Sequence, residues 1–411
     1  MSSCISNSRD VAVRYLTTYG LLVTSGAILV ASLDFVVDPY SVFGMRRIAG
    51  FNANKLDIEE HLRLTNAYSI DRLKPDALIV GTSRAGHGLS PEHPVWRGMR
   101  CYNTALPGSN IYEFSRYVQH ANGVHPLKAI VIGLDFRSFQ SAKATSEFSE
   151  NRLVIKADGT HNSRFFSATL PDLAGALLSR NALVDSLRTV RYQRWATTSQ
   201  TEKGFWLEWG NRHEYAKVFP AYTENTFRRY AGYAAEPFDI DEVMAPLRTI
   251  LLLAHARNID LRMFFSPSHA WHWQTMEIAG MLPRFEAIKR AVIRTNEDVA
   301  REVGGKPFPL WDFSGYNSFS EEAVSRSDGV RMQWFRDPLH YTPALGSIVL
   351  DRVMERTSAP PEEGFGVRLN SRSIEGHLAQ WRQAQLDFEG EHPDVRETVT
   401  RVYQGISRVQ N

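Results

Sequence analysis

The chain has 411 residues, 43% of them hydrophobic and 22% charged, a balance that supports a substantial core in one large domain or two modest ones. Lys and Arg number 47 against 45 Asp and Glu, and a net charge of +2 gives no electrostatic reason to expect nucleic acid as a partner. Two cysteines leave no basis for a disulfide framework or a cysteine zinc site.

The first element is residues 15–33, YLTTYGLLVTSGAILVASL, which carry no charge. That length is close to the roughly 20 residues a helix needs to cross a bilayer. Arg9 and Arg14 precede the run, and Asp34 and Asp38 follow it, so the bulk of the chain is expected outside the cytoplasm. Arg46 and Arg47, a little further on, pull against that orientation. Two other readings compete with an anchor. One is a cleaved signal peptide with Ser25-Gly26-Ala27 as its small residues; the other is a buried core helix. In the anchor reading Cys4 and Cys101 lie on opposite sides of the membrane and cannot pair.

A polar helical segment is expected over residues 58–70, and the core pattern begins at Pro75. Residues 77–80 form a short apolar run of the kind that makes a buried parallel strand. Residues 99–103 are a second, shorter strand. Asn110 caps a helix with Phe114, Tyr117 and Val118 on one face. Residues 127–134, LKAIVIGL, are the clearest strand. Residues 140–237 break the rhythm: aromatic, basic and helical, they read as an insertion. Asp241 then opens an amphipathic helix through Val243, Leu247, Ile250, Leu251 and Ala254. Residues 261–265 are a strand. Phe285, Ile288, Val292, Val299 and Val303 mark a long helix stopped by Gly304-Gly305. Residues 309–313 are another strand, residues 345–354 a closing helix, and the polar remainder holds one weak helix over 374–388. Strands alternating with helices predict an α/β fold, a doubly wound parallel sheet of about five strands covered on both faces.

Several motifs fail on inspection. Gly81 begins GTSRAGHG, but His87 and Gly88 stand where a phosphate-binding loop needs lysine and a hydroxyl. No G-x-G-x-x-G follows a strand. Gly81 and Ser83 begin a G-x-S-x-G elbow, and Ala85 ends the match. His269 and His272 form an H-x-x-H with no carboxylate at metal spacing. A different constellation has chemistry. Asp337 and His340 lie three residues apart, where a carboxylate can hold the tautomer of a general base. Ser83 ends the first strand, and the Asp-His pair follows the last, so both belong to loops at the carboxyl edge of a parallel sheet.

This arrangement resembles the SGNH hydrolases, the GDSL-like esterase and acyltransferase superfamily. Gly81-Thr82-Ser83 is similar to the GDS block with Thr82 for aspartate, Asn103 to Gly108 to the glycine block, and Asp337-Pro338-Leu339-His340 to the final D-x-x-H. Gly133-Leu134-Asp135-Phe136 sits at the G-x-N-D block, with Asp135 in the asparagine position. The resemblance implies Ser83 as nucleophile, His340 as base and Asp337 as its orienting carboxylate. It also implies an oxyanion hole from Ser83 and Gly108, with Asn103 as a further donor. An ionised Asp135 would repel an oxyanion. Either another donor (Asn103, Asn110, Arg84 or Arg137) replaces the asparagine, or activity is reduced. Asp135 is expected to pair with Arg84 or Arg137, and these three are the expected substrate-binding residues; the two arginines can also take an anionic group.

The implied organisation is a cytoplasmic tail (1–14), an anchor (15–37), an SGNH-like domain (38–355) with its insertion, and a polar helical extension (356–411). The implied function is a bacterial inner-membrane serine esterase or O-acyltransferase facing the periplasm and acting on an envelope polysaccharide or glycan. No metal or cofactor is required, and a membrane O-acyltransferase is a possible partner. The alternative is a catalytically reduced module that binds a glycan or that partner. Trp195, Trp206 and Trp209 of the insertion are candidates for stacking on sugars or for the core of a helical cap.

Overall fold

The computed structural model describes residues 2–196, 198–208, 214–325, 330–356 and 365–410. It begins with α1 (Ser2–Val37), and the span Asp10–Val37 is long and apolar enough to cross a membrane. Leu16, Leu21, Leu22, Ile28 and Leu29 on it are exposed, which rules out a helix of the domain's own core. The helix enters the domain without a linker. Asp38 turns the chain at φ 49°, and its carboxylate accepts the Phe43 and Met45 N–H groups at 3.2 and 3.1 Å. The buried Lys55 ammonium donates to the Val37 carbonyl, a cation at the negative end of the helix.

The chain then runs α2 (Leu62–Leu73), β1 (Ala77–Val80), α3 (Ser83–Gly88), β2 (Cys101–Asn103), α4 (Ile111–Val124) and β3 (Ala129–Leu134). The segment read as an insertion holds α5 (Phe165–Leu178), α6 (Arg180–Arg191), a hairpin of β4 (Thr198–Gln200) and β5 (Trp206–Glu208), and α7 (Tyr215–Ala235). The alternation resumes with α8 (Ile240–Arg257), β6 (Asp260–Phe265), α9 (Ala270–Ile278), α10 (Leu282–Glu302), β7 (Leu310–Asp312) and α11 (Pro343–Val353). The end is β8 (Val367–Arg368), α12 (Ile374–Glu391) and α13 (Pro393–Gln410).

Six strands form one sheet in the order β2-β1-β3-β6-β7-β8. The first five are mutually parallel, as the alternation predicts; β8 pairs antiparallel with β7. Both faces are buried, and the two-residue period of a strand divides them. Leu78, Val80, Ile130 and Ile132 face one core, while Ala77, Ile79, Ala129 and Val131 face the other. The chain steps from β1 outward to β2 and then returns to β3 on the other side of β1. That reversal opens a crevice at the carboxyl ends of β1 and β3, the place where open α/β sheets hold ligands.

Three expectations need correction. The cap of α8 is Asp239, whose carboxylate accepts the Asp241 and Glu242 N–H groups at 2.9 and 3.3 Å, so the helix starts before Asp241. The sheet has a sixth strand, β8, whose two residues are too few to show a strand period in the sequence. The C-terminal segment, expected to hold one weak helix, holds two, α12 and α13, and α12 packs onto the core. Leu378, Trp381 and Phe388 of α12 are buried, and His377 Nε2 meets Asp312 Oδ2 at 2.9 Å, an oxygen shared with Lys289 Nζ at 2.6 Å.

Candidate active site

Ser83 is the first residue of α3, immediately beyond β1. The turn that carries it follows from Thr82, whose hydroxyl caps the helix by accepting the Arg84 N–H. His340 arrives from the loop between β7 and α11. Glu322 shapes that loop by accepting the Gln333, Trp334 and Phe335 N–H groups, the latter two at 3.0 and 3.2 Å. Thr342 caps α11 with Pro343 at its first turn.

These loops bring the three residues into a relay. Ser83 Oγ is 2.8 Å from His340 Nε2, and His340 Nδ1 is 2.7 Å from Asp337 Oδ2. Asp337 Oδ1 accepts the Leu339 and His340 N–H groups at 2.8 and 2.9 Å. Burial pushes the Asp337 carboxyl up; the His340 charge and these hydrogen bonds outweigh it and hold it at about 2. A carboxylate on Nδ1 favours the tautomer with its proton there, which leaves Nε2 free to accept the serine proton.

The close crossing of α3 and α11 sets the serine against the histidine. A Cβ at Gly346 would lie 1.8 Å from the Gly88 carbonyl oxygen, so no side chain fits between the two helices. Gly346→Ala should therefore cost about 3 kcal/mol of stability by overpacking. Urea titration of the variant beside the wild-type chain measures that loss.

The other expected residues fall into distinct roles. Gly108 has φ +60°, and a Cβ there would meet Arg137 Nη2 at 2.4 Å, so only glycine holds this turn. Arg137 Nε donates to the Gly108 carbonyl at 3.1 Å. Among the described residues neither the Ser83 nor the Gly108 N–H donates to the protein, so both are free to receive an oxyanion. Asn103 is not available for that. Its amide donates to the Ala85 and Leu89 carbonyls, both at 2.9 Å, and its oxygen accepts the Ala105 N–H at 3.0 Å. Asn110 is likewise spent, capping α4 and donating to the Lys143 carbonyl at 2.7 Å. Asp135, 3% exposed, pairs with Arg84 Nη1 at 3.2 Å and accepts the Thr82 hydroxyl. Of the two arginines expected to hold it, Arg84 does so. Thr82 and Asp135, the two residues that depart from the pattern the sequence resembles, are thus hydrogen-bonded to each other.

Two cavities meet at the serine. An inner one of about 330 Å³ is lined by Arg84, Gly108, Asp135, Arg137 and a face of α7. An outer cleft of about 770 Å³ is lined by Phe205, Trp206, Tyr215, Arg331 and Arg336 among others. Ser83, Pro107, Tyr222 and His340 border both. The α7 contribution was not anticipated: Tyr222, Thr226, Arg229, Tyr230 and Tyr233 all reach the inner cavity. Their spacing, i, i+4, i+7, i+8 and i+11, is one helical face, a signal present in the sequence but of mixed polar and aromatic character. His87 was also missed. Its ring centroid lies 5.4 Å from that of His340, and Arg336 Nη1 donates to its Nδ1 at 2.9 Å. Burial, then the neighbouring His340 and Arg336 charges, pushes the His87 pKa well down, so it borders the cleft as a neutral ring.

The remaining candidates divide. His269 is tied into the fold, with Nε2 2.6 Å from the Glu322 carbonyl and Nδ1 accepting the Trp271 N–H at 3.1 Å. His272 borders the inner cavity. Trp206 is buried, edge-on to His87 at 5.0 Å, and forms a wall of the outer cleft. Trp195 is exposed and borders neither cavity, and Trp209 lies outside the described residues. No protein-family model matches the chain, and no curated protein matches it.

Proposed function

We propose that the protein is a serine acyl-ester hydrolase or O-acyltransferase of the SGNH type. The observation that carries this is the Ser83–His340–Asp337 relay, with contacts of 2.8 and 2.7 Å, at the junction of two cavities. In the first half-reaction Ser83 Oγ attacks the ester carbonyl carbon as His340 Nε2 takes its proton. The carbonyl oxygen becomes an oxyanion, stabilised by the Ser83 and Gly108 N–H groups. The intermediate collapses by breaking the bond to the alcohol oxygen, which leaves with the proton from His340. In the second, water or a sugar hydroxyl attacks the acyl-serine, gives its proton to His340, and Ser83 leaves with that proton restored. Asp337 stays ionised and steadies the imidazolium in both halves.

The rival reading, a non-catalytic module that binds a glycan or a membrane acyltransferase, draws on Asp135 in the asparagine position. Its electrostatic ground is weakened by the Arg84 contact, which draws the negative charge away from the oxyanion donors. A serine-reactive fluorophosphonate separates the two. Labelling of the wild-type chain that disappears in Ser83→Ala is the expected result; no labelling of folded wild type would favour the module.

We further place the domain in the periplasm of a bacterial inner membrane, with an envelope polysaccharide or glycan as substrate. Support comes from the apolar span of α1 and the arginines before it. Alkaline phosphatase fused to the C-terminus should be active in cells. Fluorescence from a reporter that matures only in the cytoplasm would reverse the orientation.

A further inference from the structure

Three guanidiniums and one carboxylate line the inner cavity. Asp135 is matched by Arg84. Among the described residues neither Arg137 nor Arg229 has a carboxylate within 4 Å. The other polar linings supply no negative charge. Burial raises the Tyr222, Tyr230 and Tyr233 phenols, so they remain neutral hydrogen-bond donors. Burial, then the Arg84 and Arg229 charges, keeps His272 neutral. The nearby Asp337 is committed to His340 and two backbone N–H groups. Two unbalanced positive charges therefore stand in a half-enclosed space beside the Ser83 hydroxyl. Both guanidiniums are half-buried, so an anion entering the cavity meets two positive charges that no lining carboxylate balances. Their planar fork matches a carboxylate in a bidentate contact.

We propose that this cavity is an anion subsite, and that the ester handled at Ser83 carries a carboxylate on the half that enters it. The inference rests on the acyl-transfer reading above and names its substrate class. Arg137, on the turn after β3, and Arg229, on α7, grip the carboxylate, with the neutral phenols as further donors. An ester lying across Ser83 places its other half in the outer cleft, which at about 770 against 330 Å³ is the roomier side. The inner half is therefore compact: a dicarboxylic half-ester's acyl group, or one uronate ring.

The test uses the detergent-solubilised full chain and two matched pairs of esters. One pair is 4-nitrophenyl acetate and mono-4-nitrophenyl succinate, with the charge on the acyl half. The other is acetylated methyl glucoside and acetylated methyl glucuronoside, with the charge on the alcohol half. In one pair the charged ester should be preferred by about tenfold or more in kcat/KM, the scale of one charge-assisted contact. That preference should fall in Arg229→Gln and partly return in Arg229→Lys. The pair that responds identifies the half that enters. Calorimetric titration of Ser83→Ala with succinate and with methyl glucuronoside gives a reading independent of turnover. Equal kcat/KM within both pairs, with no binding of either anion, would overturn the subsite and leave acyl transfer standing. Arginine-dependent binding by a chain that turns over no ester and takes no fluorophosphonate would keep the subsite and overturn acyl transfer. Absence of both binding and turnover would overturn both.

Discussion

Replacing His340 by alanine should lower kcat for a small acetyl ester on the order of 10⁶-fold, the loss that follows when a triad base is removed. Without Nε2 at 2.8 Å the Ser83 proton has no acceptor, and a neutral hydroxyl is a poor nucleophile. His87 does not substitute. Its Nδ1 is occupied by Arg336, and its burial among cations disfavours taking a proton. The Ser83→Ala and His340→Ala double variant should be no slower than either single one, because the residues act as a unit. Activity of His340→Ala within tenfold of wild type, in protein of unchanged melting temperature, would remove His340 from the chemistry.

Asp337→Asn should lower kcat by about 10⁴-fold while leaving the fold intact, since asparagine is nearly isosteric. Asp337 Oδ1 accepts two backbone N–H groups, which fixes how the side chain sits. In the variant that oxygen keeps those bonds, so the amide NH₂ turns toward His340 Nδ1. Nδ1 must then accept, the ring proton moves to Nε2, and His340 donates to Ser83 where it should accept. The pH dependence of stability should change as well. A carboxyl held at about 2 in the folded chain, against about 3.9 unfolded, contributes stability that is present above pH 4. That contribution is lost as pH falls through 4 toward 2. Urea midpoints measured from pH 5 to 2.5 should therefore slope less steeply in Asp337→Asn. Equal slopes, with full activity at neutral pH, would contradict the role given to Asp337.

The helix α5 leaves an apolar face exposed. Phe166, Leu170 and Leu178 are exposed on the helix that packs beside α1. The segment thus has two sides: α5 and α6 against α1, and α7 beside Ser83.

Local pattern was enough for the elements whose residues carry their own signal. The strands β1 and β3 are short apolar runs buried on both faces, so burial and sequence agree residue by residue. Asp337 and His340 share one turn, and their mutual geometry depends on three residues of chain. The order of strand ends then places Ser83 on the same sheet edge, 257 positions from His340, because parallel strands all finish there. The tertiary structure decided everything that depends on which of several equivalent partners is nearest. Arg84 and Arg137 are both suited to Asp135 by charge; the turn at α3 delivers Arg84, and Arg137 goes to the Gly108 carbonyl. Asn103 has the chemistry of an oxyanion donor, but it ends β2 buried against α3, where the Ala85 and Leu89 carbonyls take its amide. Arg229 and Tyr222 look like an ordinary polar face of an inserted helix until α7 is laid across the crevice. Two residues of β8 have no period of their own and become a strand only because β7 offers an unpaired edge. A side chain's type and its neighbours in sequence set what it can bond; which bond it makes is a matter of distance, and distance across the sheet is settled only when the helices pack.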